Sequence, residues 1–161
     1  MINIAHVWLQ RVAADGSRIV FTRGGGGSHE VSLWAMGADG ADEVLLRRDV
    51  MIRFRNGKAW ASFSPDGSRI AFCRAVGNEY DLFTMAADGT DVKQVTRTPD
   101  RSELHPSWSP EGATIAFVAK AAGSPNGWEK SVFIVPHDGG EARQLTSSEF
   151  NDTRPSWVVS Q

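Results

Sequence analysis

Apolar residues in this chain come in short runs punctuated by Gly, Pro, Asp and Ser, and no run recurs at the 3.6-residue spacing of a helix face. Ile70-Ala71-Phe72-Cys73, Leu82-Phe83-Thr84-Met85, Ile115-Ala116-Phe117-Val118 and Val132-Phe133-Ile134-Val135 are apolar on both faces of an extended backbone. A sheet wet on one side would alternate apolar with polar, so these runs predict strands in small sheets covered on both faces. Ser64-Pro65-Asp66-Gly67 and Ser109-Pro110-Glu111-Gly112 predict tight turns, with Pro where a fixed φ helps and Gly where a positive φ is accepted.

The pattern repeats. SFSPDGSRIAFCR (62–74) recurs as SWSPEGATIAFVAK (107–120) and more loosely as RVAADGSRIVFTR (11–23). Each is followed by a run closing on Asp-Gly: LWAMGADG (33–40), LFTMAADG (82–89) and VFIVPHDG (132–139). A short element ends each unit: EVLLR (43–47), KQVTR (93–97) and RQLTS (143–147). After the third unit TRPSWVV (153–159) matches LHPSWSP (104–110), the first strand of a further unit. Each unit of about 50 residues reads as four strands, A at 60–63, B at 69–74, C at 81–86 and D at 92–96 in the second copy. Four-stranded antiparallel sheets stacked face to face about an axis make a β-propeller, with the more polar D strands at the outer edge. The expected fold is therefore all-β, a single domain over 1–161 with blade 1 at 8–47, blade 2 at 59–97, blade 3 at 105–147 and an extra strand at 154–159.

P-S-W-S-P-D/E-G, then I-A-F, then the D-G that closes strand C, then Q-L/V-T, resembles the TolB-like repeat, also called the WD40-like or PD40 repeat. The resemblance spans residues 8–159 and is weakest in the first unit, where Ala14 replaces Pro65 and Pro110, and Val12 replaces the aromatic seen at Phe63, Trp108 and Trp157. It implies a ring of typically six or more blades, serving as the protein-binding half of a periplasmic protein or as a lid or docking domain of prolyl-oligopeptidase-type peptidases. Catalysis is not implied, because a fold does not fix a function.

Composition narrows the classes. A net charge of −2 offers no basic surface for nucleic acid or an anionic membrane, and no apolar run approaches the 18 residues of a membrane span. The lone Cys73 falls in a strand and is expected to be a buried, inert thiol. The N-terminus lacks a basic stretch followed by an apolar one, so the chain as given is expected in the cytoplasm, or in the periplasm if it is a piece of a longer exported protein. Gly-x-Ser-x-Gly, His-Glu-x-x-His, Cys-x-x-Cys and calcium-loop patterns are all missing, and His6, His29, His105 and His137 are scattered, so no metal and no cofactor are expected. Gly24 to Ser28 reads as a mobile loop, natural or inserted.

With strands A to D alternating in direction, the A–B and C–D turns lie at one end and the B–C and D–A connections at the other. The second end gathers the long stretches 23–31, 48–58, 74–80, 97–105, 120–130 and 147–153, and loops on a rigid scaffold carry function. It is expected to display His29, Glu79, Arg101, Glu103, His105, Trp128, Glu129, Asn151, Asp152 and Arg154, with His105 and Arg154 at equivalent places near the axis, capped by Glu103 and Asp152. The expected function is non-catalytic binding of a protein, peptide or small ligand at this face. The alternative is a propeller-based enzyme or a fragment of one, such as a polysaccharide lyase or a peptidase-associated propeller. Three blades form an open arc with an apolar face uncovered at each end, and two arcs would close a ring of six, so a homodimer is expected, with 154–159 joining the partner's first blade, or its own if the ring closes otherwise, and displacing or supplementing the weak strand near 8–13.

Overall fold

The structure is a computed structural model that describes residues 7–13, 15–24, 31–48, 60–120, 130–147 and 152–158. The described residues form three antiparallel four-stranded sheets in chain order, and no helix among them is long and apolar enough to cross a membrane. The first sheet is β1 (Val7–Val12), β2 (Arg18–Gly24), β3 (Val31–Gly37) and β4 (Val44–Arg47). The second is β5 (Ala61–Phe63), β6 (Arg69–Val76), β7 (Glu79–Ala86) and β8 (Lys93–Gln94). The third is β9 (Glu103–Trp108), β10 (Thr114–Lys120), β11 (Lys130–Pro136) and β12 (Arg143–Gln144). β5 touches both β1 and β9, so the first strands gather on one side and the short outer strands lie on the other.

The turns explain the Asp-Gly signature. Gly67 N–H donates to Ser64 O at 2.9 Å, with Gly67 at φ +71°, while Asp66 accepts from the Ser64 hydroxyl at 2.6 Å and the Ser68 hydroxyl at 2.8 Å. Those hydrogen bonds, from Ser64 first and then Ser68, hold the Asp66 carboxyl down to about 2. At the second turn of the second and third sheets the glycine has a further task. Gly89 (φ +89°) faces the Leu46 carbonyl of the sheet before it, and a methyl group there would lie 3.2 Å from that oxygen. Gly139 (φ +106°) faces Val95 O in the same way, at 3.5 Å.

Gly89→Ala is therefore expected to cost more than Gly67→Ala. Both take on the left-handed backbone strain of about 1–2 kcal/mol, but a methyl group added at Gly67 would meet nothing within 4 Å. Denaturant midpoints of the two variants check this, and equal losses would show that the Leu46 contact contributes nothing.

Two apolar layers join the sheets. Val20, Leu33 and Ala35 of the first meet Ile70, Phe72, Phe83 and Met85 of the second. Ala71, Cys73 and Leu82, on the other face of the second, meet Ile115, Phe117, Phe133 and Val135 of the third. Accordingly β7 is buried at every residue from Tyr80 to Met85, as a strand covered on both faces must be. Cys73 is a free, buried thiol, and burial pushes its pKa well up.

Three expectations need correction. The stretch 74–80 is no loop: β6 and β7 run to Val76 and Glu79 and turn on Gly77-Asn78, with Gly77 at φ +63°, the two-residue hairpin that a leading Gly favours. The fourth strands of the second and third sheets are two residues long, shorter than 92–96. In the first sheet Trp34 pairs with Leu45, as Phe83 pairs with Gln94, so the unit aligns on Val44 with Lys93 rather than on Glu43.

Candidate functional site at the inner edge of the sheets

Four of the expected site residues, His29, Trp128, Glu129 and Asn151, lie outside the described residues. The others have definite places, and most of them bind the sheets together.

Glu103 is not displayed, which corrects its expected position on the loop face. It is 1% exposed, one oxygen accepting from the Thr96 hydroxyl and from Leu82 N–H at 3.1 Å, the other from the Thr98 hydroxyl at 2.9 Å. Leu82 N–H is shared with Thr96 Oγ1 at 2.9 Å, and beside them Gln94 donates to the buried Asp81 at 2.7 Å. Burial pushes the Glu103 carboxyl up against these hydrogen bonds, and the nearby Asp81 charge adds to the rise. Glu103 opens β9, so this cluster clasps the outer end of the second sheet to the innermost strand of the third.

Asp152 occupies the same place one unit later. It accepts from the Thr146 hydroxyl, its own N–H donates to Lys130 O at 3.0 Å, and Thr146 Oγ1 accepts from Val132 N–H at 2.9 Å. In both units an acid follows the Thr of the Gln-x-Thr motif, seven residues on at Glu103 and six at Asp152, a signal present in the sequence. The first sheet lacks the clasp residues, since Leu45 stands where Gln94 stands. Glu79 and Arg101 are structural too. Glu79 accepts from the Ser102 hydroxyl at 2.5 Å, and Arg101 lies over the Phe133 ring, 5.4 Å from its centre. Arg23 covers Trp34 and Arg74 covers Phe83 from their own sheets; the third sheet has Ala119 at that position, and Arg101 arrives from the preceding unit instead.

His105 and Arg154 are what remain. Both take the left-handed conformation, φ +58° and +51°, directly before Pro106 and Pro155. At His105 the cause is a bulge, since His105 and Pro106 together oppose the single residue Phe117 between the Ala116–Ser107 and Val118–Leu104 pairs. The matching residue of the second unit is Trp60, three before Phe63 as His105 is three before Trp108. Its ring meets the His105 imidazole at 4.1 Å between centres. Along the inner edge thus stand an indole, an imidazole and a guanidinium at equivalent places, from buried Trp60 through half-buried His105 to exposed Arg154. Trp60 was missed by the sequence reading because the second unit has Ala61 where the others have Pro106 and Pro155. The row offers one exposed guanidinium, with a half-buried imidazole one unit before it packed on the buried indole, and a guanidinium suits carboxylates.

At the opposite end a groove of about 520 Å³ runs between the turns of the second and third sheets, beside Asp66, Trp108, Glu111 and His137. Trp108 and His137 meet there at 5.8 Å, and the acids are held by serines of their own turns.

The segment 152–158 enters no strand ladder, yet it is placed as the next innermost strand. The Trp108 indole N–H donates to Ser62 O at 3.1 Å, and the Trp157 indole N–H donates to Ser107 O at 3.0 Å, the same bond one unit on.

A family model described as TolB beta propeller domain matches residues 11–160. The uncharacterized peptidase YuxL of Bacillus subtilis is 30% identical over 100 residues, covering 59% of this chain and 15% of that protein. The Tol-Pal system protein TolB of Anaeromyxobacter dehalogenans is 46% identical over 46 residues, 29% of this chain and 10% of that protein. The solved structure of a putative TolB from Agrobacterium tumefaciens superposes with a TM-score of 0.68 at 20% identity, covering 87% of this chain and 49% of that one. The chain thus spans about half of a solved propeller protein and a small part of its curated relatives.

Proposed function

The chain belongs to the TolB β-propeller domain family, and from that premise we propose that it is a non-catalytic binding module that takes a protein partner through an acidic segment at the inner edge. The observation carrying this reading is the row Trp60, His105 and Arg154, which three successive units present at one position. Two of the three are held in a backbone conformation that side chains rarely adopt, and such strain concentrates where binding needs it. The working form is proposed as a ring of six blades made by two chains, with 154–159 supplying an innermost strand at the junction.

An acidic decapeptide of alternating Glu and Gly tests the site by calorimetry at low salt. Wild type should bind it, Arg154→Ala about tenfold more weakly, near 1.4 kcal/mol, and a Lys-for-Glu peptide not at all. Equal binding by wild type and the Arg154→Ala, His105→Ala double variant would discard the row as the site.

A second reading, the propeller part of an enzyme, draws support from the peptidase name of the Bacillus relative. Chemistry would then reside in the part of such a protein that this chain does not match.

A further inference from the structure

The two junctions between the sheets are built alike, and among the described residues the first and third sheets each present one face with no further sheet against it. In β3 the residues facing the second sheet, Val31, Leu33 and Ala35, are buried, while Ser32, Trp34 and Met36 on the other face are half-buried. In β11 Ser131, Phe133 and Val135 are buried, and Val132 and Ile134 on the outward face are half-buried. Leu145 is the clearest case. Its counterparts Leu46 and Val95 are 8% and 3% exposed beneath the glycine turn of the following sheet, whereas Leu145 is 47% exposed. Beside it the outward face has a hollow of about 480 Å³ lined by Thr114, Ile134, Pro136, Ala142 and Arg143.

The other end of the chain carries the matching half. Ile19, Trp34 and Met36 stand in the register of Ile70, Phe83 and Met85, the residues that the second sheet sends into the first junction. Arg23 lies 4.7 Å over Trp34, and Arg74 lies in the same manner over Phe83 inside that junction, so the cation does not bar docking. Gly40, at φ +84°, holds the place of Gly89 and Gly139.

We propose that the outward face of the third sheet seats β2, β3 and β4 of a second copy of this chain, in the register already used twice within the chain, with residues 152–158 displacing the partner's β1 from the innermost place and the partner's Asp39-Gly40 turn lying over Leu145. This deepens the six-bladed reading and rests on it. Two such contacts, third sheet to first in each direction, are related by a two-fold axis and leave no free face.

The register makes a specific demand. Within the first junction the Arg18 guanidinium donates to Ala87 O at 3.3 Å, so those two positions lie within the reach of an arginine side chain. Their counterparts across the open junction are Thr114 and Ala38. Chains carrying Thr114→Cys alone and Ala38→Cys alone should be cross-linked by a flexible bismaleimide of an arginine's length only when mixed, since the positions are too far apart for a disulfide, while light scattering of wild type at about 0.1 mM gives twice the 17.5 kDa chain mass. Leu145→Asp, at an exposed place, should weaken the dimer about tenfold or more without moving the thermal midpoint of dilute chains. A mass of one chain with no cross-link overturns the ring and the register together. A two-chain mass with cross-links absent from the mixture, or present in unmixed controls, leaves a dimer and overturns this register. Peptide binding at Arg154 is read separately and stands or falls by itself.

Discussion

Trp108→Ala is expected to cost roughly 3–5 kcal/mol of folding stability, the loss typical of a large buried aromatic. The side chain is buried in the layer between the second and third sheets, against Cys73, Leu82 and Ile115 among others. Its indole N–H also donates across that junction to Ser62 O, and the Ser62 hydroxyl donates back to Pro106 O at 3.0 Å. Trp108→Phe separates the two contributions. Phe63 fills the equivalent place in the second unit, so the ring is tolerated by the repeat, and the loss should fall to about 1–3 kcal/mol for one buried bond. Trp157→Phe removes the same bond at a residue 37% exposed, and should cost less than Trp108→Phe. Equal losses for the two Phe variants in chemical denaturation would mean that the bond is no stronger inside the junction than at the open end.

This ordering follows from the way the repeat was legible. Period, strands and turns could be read because each rests on a local rule: two-faced apolar runs, Ser-Pro-Asp-Gly and Asp-Gly. The roles of polar residues near strand ends depend on register between units, which the sequence states only indirectly. Glu103 reads as a loop acid, yet its partners Thr96, Thr98 and Leu82 N–H belong to the preceding sheet. Arg101 reads as a surface cation because nothing nearby in sequence reveals that Ala119 leaves Phe133 uncovered. Trp60 was hidden by the missing Pro, and the Gly77-Asn78 hairpin by the assumption that every B–C connection is long. His105 and Arg154 were legible as equivalent positions, while their shared left-handed backbone was not.

Glu103→Ala is the second substitution expected to be severe. It leaves the buried hydroxyl of Thr96 and the half-buried hydroxyl of Thr98 without this acceptor, at about 1–3 kcal/mol for a buried group that finds no other, and it opens the clasp that starts β9. Glu103→Gln keeps the shape and one acceptor oxygen, and Thr98 can turn its hydroxyl to receive the new amide, so the loss should be much smaller. The pH dependence distinguishes a buried carboxyl from a shape requirement. Burial raises the Glu103 carboxyl in the folded chain above its ordinary 4.5, so its ionised form is the disfavoured one there. Protonation is then tighter in the folded chain than in the unfolded one, and its stabilising contribution is complete below 4.5 and lost as pH rises through the folded value. The stability of wild type relative to Glu103→Gln should therefore grow as pH falls from neutrality toward 4.5, because the amide does not titrate. A difference that stays flat across that window would mean that hydrogen bonds from Thr96, Thr98 and Leu82 hold the carboxylate as firmly as water does, and one that grows with rising pH would mean that they hold it more firmly.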